Sequence, residues 1–202
     1  MEQLSIIASS EKEVARLFGS ADCSKLLYHS HAHTCEVTAR VIEISKVSTL
    51  SEAEKTWLLI AAHWHDVGYL STYHEHEEKG MDLVALFLEE QGVAQTDIDF
   101  VRACIEATKL HQTPRNLAES ILSDADLAYG VTNHFFERGP LLRKEWELCL
   151  GKSYSDVEWE QLQLSFLPEV QFFSPYGQTY YAPIVKANLK KQQICLDALI
   201  KE

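Results

Sequence analysis

Glycine and proline are scarce, 8 and 5 among 202 residues. They cluster instead of recurring at the short intervals that hairpins require, which argues against a β-sandwich or barrel. Basic residues are also few. With 18 Lys and Arg against 30 Asp and Glu, the formal charge is -12, and such a surface repels a duplex nucleic acid and an anionic membrane alike. No window approaches the roughly 20 apolar residues of a membrane span. The first ten residues, Met1 to Ser10, lack the basic start and apolar run of a secretory signal. Cysteines number five (Cys23, Cys35, Cys104, Cys149 and Cys195), widely separated and with no C-x-x-C pair. That pattern suits a reducing compartment, and the cytoplasm is the expected location.

What remains is a chain that is 46% hydrophobic, enough for one sizeable core, so residues 1–202 are read as one all-α domain. Long amphipathic segments dominate. A packing helix is expected around Glu11 to Phe18, and a second from His31 to about Val47, where Val37, Val41 and Ile44 continue a helical stripe that begins at His33. Ser51 and Glu54 form a capping box. It opens a nearly all-apolar central helix running through Trp57 and Leu58 to His65 and Asp66, with Gly68 as its stop. Further helices are expected over His76 to Gln91, Thr96 to Leu110, Leu117 to Tyr129 after Pro114, Phe135 to Leu150, Asp156 to about Leu167, and Ile184 to Ile200. The stretch Pro168 to Pro183 reads as an irregular aromatic loop. It would pack over a pocket, on the core, or against a second copy of the chain in a homo-oligomer.

Eight of the nine histidines (29, 31, 33, 63, 65, 74, 76 and 111) precede His134 and fall in the first 111 residues. The sharpest signal is His65-Asp66 at the end of an apolar helix. A carboxylate buried there without compensation costs several kcal/mol, so positive charge is expected beside it. Neighbouring helix residues diverge by roughly 100°, so both reach one ion only if it lies over the helix flank, with further ligands from other helices. His33, on an inner stripe, and Asp126, one turn after Leu122, are the candidates. Two imidazoles and two carboxylates suit a divalent ion of the Mn, Fe, Co, Ni, Mg or Zn group, with positions left for water and hence for catalysis.

In this order, His33, His65-Asp66 and Asp126 resemble the H…HD…D signature of the HD-domain superfamily of metal-dependent phosphohydrolases. The contexts Tyr28-His29 with His33-Thr34, Ala61 to Gly68, and Leu122 to Leu127 also resemble the family, and the match spans about residues 28–130. The resemblance implies an HD-type helical bundle with additional C-terminal helices over about residues 131–202. It also implies hydrolysis of a phosphomonoester or phosphodiester of a small molecule, such as a nucleotide, through a metal-activated water, with His65 and Asp66 at the catalytic centre.

Some members of the family hold two metals by means of two added histidines. His76, in an H-x-x-x-G context with Gly80, and His111 occupy the corresponding interval, and Asp66 would then bridge the ions. Several alternatives remain open at the level of sequence: one metal or two, His74 or His76 facing the site, and Asp124 or Asp126 as the last ligand. Asp124 and His63 are further candidates for orienting ligands from outside. His29, Lys109 and Arg115 are candidates for contacting a phosphorylated substrate. Two competing functions also fit the residues, a di-iron oxygenase of related architecture and a non-catalytic, metal-stabilised nucleotide-binding module.

Overall fold

A computed structural model describes the backbone of residues 2–201 and the side chains of residues 5–201. Among the described residues the chain is all-helical, without strands. Its helices are α1 (Glu2–Ser20), α2 (His31–Lys46), α3 (Glu52–Trp64), α4 (His76–Glu90), α5 (Gln95–Glu106), α6 (Leu117–Val131), α7 (Phe135–Leu150), α8 (Asp156–Phe166) and α9 (Ala182–Lys201).

The centre of the bundle is α3, which touches α1, α2, α4, α5 and α6. Its start follows from Ser51 and Glu54, each side chain meeting the other's backbone N–H in a complete capping box. Its inner residues Leu58, Ile60, Ala61 and Ala62 are fully buried. They belong to one apolar cluster that runs from Val14 on α1 to Val185 on α9.

Three expectations about elements need correction. α1 begins nine residues before Glu11, because Ser10, a polar residue, sits on its buried face and interrupts the apolar period: it is fully buried and accepts a hydrogen bond from Trp64 Nε1 at 2.9 Å. α5 ends at Glu106, short of Leu110, in turns that carry His111 at φ 68°. The stretch from Pro168 to Pro183 is irregular only in its first part. Ser174 Oγ accepts from Gly177 N at 3.0 Å, Pro175 follows at the first helical position, and a wide turn over Gly177–Tyr181 leads directly into α9. The proline and serine that read as loop residues are helix-start residues here.

Gly68 also has another role than the expected stop. α3 ends at Trp64, and Gly68 lies in a short 3-10 turn, Val67–Leu70. A Cβ on Gly68 would stand 1.9 Å from the carbonyl oxygen of His76, and one on Gly80 would stand 3.1 Å from that of Trp64. The two glycines let the start of α4 cross the end of α3 at backbone contact, and so bring His76 beside Asp66.

Candidate metal centre

Three helices deliver the central group. His33 lies in the first turn of α2, after Ser30, whose hydroxyl caps that helix. His65 is the cap residue that ends α3, and Asp66 follows it with the helical path already broken (φ -106°, ψ 2°). Asp126 projects from α6. The break after Trp64 removes the angular conflict between neighbours on one helix and allows His65 and Asp66 to face the same point.

His33 Nε2 lies 3.0 Å from Asp66 Oδ2, 3.1 Å from Asp126 Oδ1 and 3.1 Å from His65 Nε2. His65 Nε2 lies 3.4 Å from Asp66 Oδ2 and 3.6 Å from Asp126 Oδ1. His33, His65 and Asp66 each offer a ligand atom within 4.8 Å of the others and are all buried. Asp126 reaches both imidazoles, and its side chain is 26% exposed.

The ring nitrogens are not aimed as a protonated network would aim them. Asp66 Oδ2 is buried and, although 3.0 Å from His33 Nε2, accepts no hydrogen bond, because the N–H direction misses it. The two Nε2 atoms instead face one another. His65 Nδ1 lies 2.9 Å from the carbonyl of Ala62. Donation of that N–H leaves the Nε2 lone pair free toward the centre, the arrangement that orients a ligating imidazole. Neighbouring ligands of one ion, with bonds of about 2.1 Å, stand about 3 Å apart. The donor set, its spacing and the orphaned carboxylate oxygen therefore fit a divalent cation.

Without a cation the charges compensate by protonation. Burial alone would lower the pKa of His33, but Asp66 and Asp126 outweigh it and raise the imidazole to about 9. His65 is raised for the same reason. Burial would raise both carboxylates, yet the facing imidazoles hold Asp66 and Asp126 well below the usual carboxylate range.

Beyond Asp66 lies a second group of residues. His76 Nε2 is 3.7 Å from Asp66 Oδ1, the oxygen turned away from His33, and its ring stacks on Tyr69 at 3.7 Å between centroids. Burial lowers His76 to about 4, so its imidazole is neutral near pH 7. His29 stacks on the same tyrosine at 4.1 Å. With side-chain exposures of 15% for His29, 16% for His76 and 26% for Asp126, against 1% for His33 and His65, these three line the mouth. The open choice between His74 and His76 resolves toward His76, since His74 is exposed.

Other candidates stand elsewhere. His111 is exposed in a left-handed conformation and forms no ion pair with the carboxylates of the centre. Lys109 is bound to Glu78 at 2.6 Å, while Arg115 is held by Glu106 and Glu119 beside a surface hollow on α5, so neither presents a free charge to the centre. His63 faces α1, with Nδ1 3.0 Å from Ser10 Oγ, and burial lowers it to about 4. Asp124 also turns away. It accepts from Phe173 N and Ser174 N, each at 2.8 Å, and from Ser174 Oγ at 2.6 Å, so it anchors the segment before α9. Two positions along a helix rotate a side chain by roughly 200°, which is why Asp124 and Asp126 serve opposite faces.

Tyr69, Tyr73 and Glu145 at the site escaped sequence reasoning. Glu145, fully buried on α7, accepts from Tyr28 N at 2.7 Å, His29 N at 3.1 Å and Tyr73 Oη at 2.8 Å, and binds His29 Nδ1. The hydrogen bond from His29 keeps it ionised despite its burial. For Glu145 the only signal in the sequence was a glutamate on an otherwise ordinary amphipathic helix. Gly130 contributes as well, since a Cβ there would stand 2.1 Å from Tyr28 Oη. Compared with known proteins, the chain matches no family model, no curated protein and no solved structure.

Proposed function

We propose that the protein is a metal-dependent phosphohydrolase of the HD-domain type, acting on a small phosphomonoester or phosphodiester such as a nucleotide. The observation that carries this reading is the convergence of His33 Nε2, His65 Nε2, Asp66 Oδ2 and Asp126 Oδ1 around a buried carboxylate oxygen that accepts no hydrogen bond. These four residues would hold the ion, and His76 beside Asp66 Oδ1 would hold a second. When bound, such an ion lowers the pKa of water and polarises a phosphoryl oxygen.

The chain's own residues divide the remaining work. His33, His65 and Asp66, nearly inaccessible, give the centre a fixed geometry, and partly open Asp126 leaves one side to a ligand. Glu145 binds one nitrogen of His29, so the other nitrogen is the one that can pass a proton at the mouth to a departing alkoxide. With Lys109 and Arg115 already paired and His76 neutral, the charge of a phosphate falls to the ion. A small substrate suits a chain of net charge -12 better than a polyanion does.

Purified protein supplied with Mn or Co should hydrolyse an aryl phosphate mono- or diester. His65→Ala and Asp66→Ala should each lose metal and reduce turnover by at least about a hundredfold, more than 2.7 kcal/mol of barrier. Turnover that survives either substitution removes this centre from the mechanism. Oxygen consumption by an iron-loaded sample without phosphate release would replace the hydrolytic reading with an oxidative one.

A further inference from the structure

Tyr69 stands three residues after Asp66, in the short turn Val67–Leu70, and donates its backbone N–H to the Asp66 carbonyl at 3.1 Å. Its ring is therefore tied to the backbone of the centre. His29 stacks on it at 4.1 Å between centroids with the planes 21° apart, and His76 at 3.7 Å and 20°. The two imidazoles are 6.4 Å from one another, too far for rings stacked on one face, so they cover opposite faces. The edge of Tyr69 meets Tyr73 at 5.0 Å, and Tyr73 is held in turn by Glu145. With both faces and an edge in contact, the ring has one position.

What that position leaves over is the hydroxyl. Tyr73 spends its own hydroxyl on Glu145 at 2.8 Å. The Tyr69 hydroxyl has no partner among the described residues, and Tyr69 is partly exposed, so this donor is not sealed in the core. Burial, and after it the charges of Asp66, Tyr73, Glu77 and Asp126, push the phenol well above its ordinary value. Asp66 and Asp126 belong to the centre and Glu77 adjoins it, so the hydroxyl lies on that side of the ring and keeps its hydrogen.

We propose that Tyr69 is a substrate-contacting residue whose hydroxyl, held between His29 and His76, donates a hydrogen bond to a non-bridging oxygen of the phosphoryl group. The proposal rests on the hydrolytic reading of the centre. It answers a shortage of donors, since Lys109 and Arg115 are bound to carboxylates. A neutral donor fixed in advance adds orientation without reorganising during the reaction, and it leaves the charge to the ion. The proton stays on the tyrosine throughout.

Binding of inorganic phosphate to the Mn-loaded protein, followed by calorimetry, reads this contact apart from turnover. Tyr69→Phe preserves the stacked ring and removes only the hydroxyl. It should keep the Mn content and melting temperature of the wild type. Phosphate affinity should fall roughly tenfold to a hundredfold, and kcat/KM for an aryl phosphate by a similar factor, as expected for one lost hydrogen bond to a charged group. A ring that serves only in packing predicts unchanged phosphate affinity in Tyr69→Phe, and that result overturns the proposal whether or not the wild type hydrolyses anything. A wild type that binds phosphate without turning over an ester, with the affinity lost in Tyr69→Phe, keeps the contact and removes the hydrolytic reading. Failure of Mn-loaded wild type to bind phosphate overturns the contact, while ester hydrolysis by the same sample would leave that reading standing.

Discussion

At the scale of the residue, two aspartates separated by a single alanine do different work. Asp126 faces the two imidazoles, whereas Asp124 accepts three hydrogen bonds from Phe173 and Ser174. Asp126→Asn should lower metal content and, in the metal-free protein, forfeit the stability that its pairing with His33 and His65 supplies. Asp124→Ala should keep metal content but destabilise by roughly 2–3 kcal/mol, the cost of orphaning buried donors to a charged group. Metal analysis separates the two, denaturant melts check the losses of stability, and the reverse pattern of metal content would exchange their roles. The central protons carry a second consequence. His33 rises from 6.5 to about 9, so its contribution to the metal-free fold is complete below pH 6.5 and is lost as pH climbs through 9. Asp66 and Asp126 are lowered from 3.8, so theirs is present above that value and lost as pH falls. His63 and His76, lowered to about 4 by burial, cost stability as pH falls below 6.5, so metal-free protein should be most stable near pH 6.5. A bound divalent ion replaces the proton, so Mn should remove the alkaline decline and release protons on binding. Thermal melts with and without Mn from pH 6 to 9 check this, and a flat metal-free profile would contradict it.

At the scale of the element, the crossing of α3 and α4 sets the site. Gly68 permits it at a distance no side chain allows, since its Cβ would meet His76 O at 1.9 Å. Gly68→Ala should displace the start of α4, destabilise by roughly 1–3 kcal/mol as overpacking does, and weaken whatever His76 binds. Gly19, in the last turn of α1, has nothing within 4 Å of a Cβ. Gly19→Ala should be neutral or stabilising by up to about 1 kcal/mol through helix propensity. Melting temperatures of the two variants decide the matter, and equal effects would show that the close approach at Gly68 relaxes freely. The scarcity of glycine makes the contrast legible in principle. Nothing in the local sequence says which glycine ends a helix and which admits a neighbour.

At the scale of the whole molecule, the C-terminal helices support the mouth of a centre whose ligands all precede them. Glu145 reaches back from α7 to Tyr28, His29 and Tyr73, joining residues more than 70 positions apart. Glu145→Gln preserves size but turns one accepting oxygen into a donor facing donors. It should leave metal content unchanged, lower stability by roughly 2–3 kcal/mol and lower kcat through a misplaced His29. An unaltered kcat would reduce Glu145 to a packing residue. The all-helical class, the capping boxes and most helix spans were legible in the sequence, because hydrophobic period and cap chemistry are local properties. The ordering of His33, His65-Asp66 and Asp126 was legible too, since each lies on or beside an apolar stripe that must face inward. Tertiary structure alone decided that His76 joins them while His111 does not, that Lys109 and Arg115 are spent on carboxylates, and that His63 turns toward α1. The buried pair His65-Asp66 could be found from the chain because burying charge has a local cost. Which distant groups would meet that charge depended on how helices cross, and no local pattern encodes a crossing.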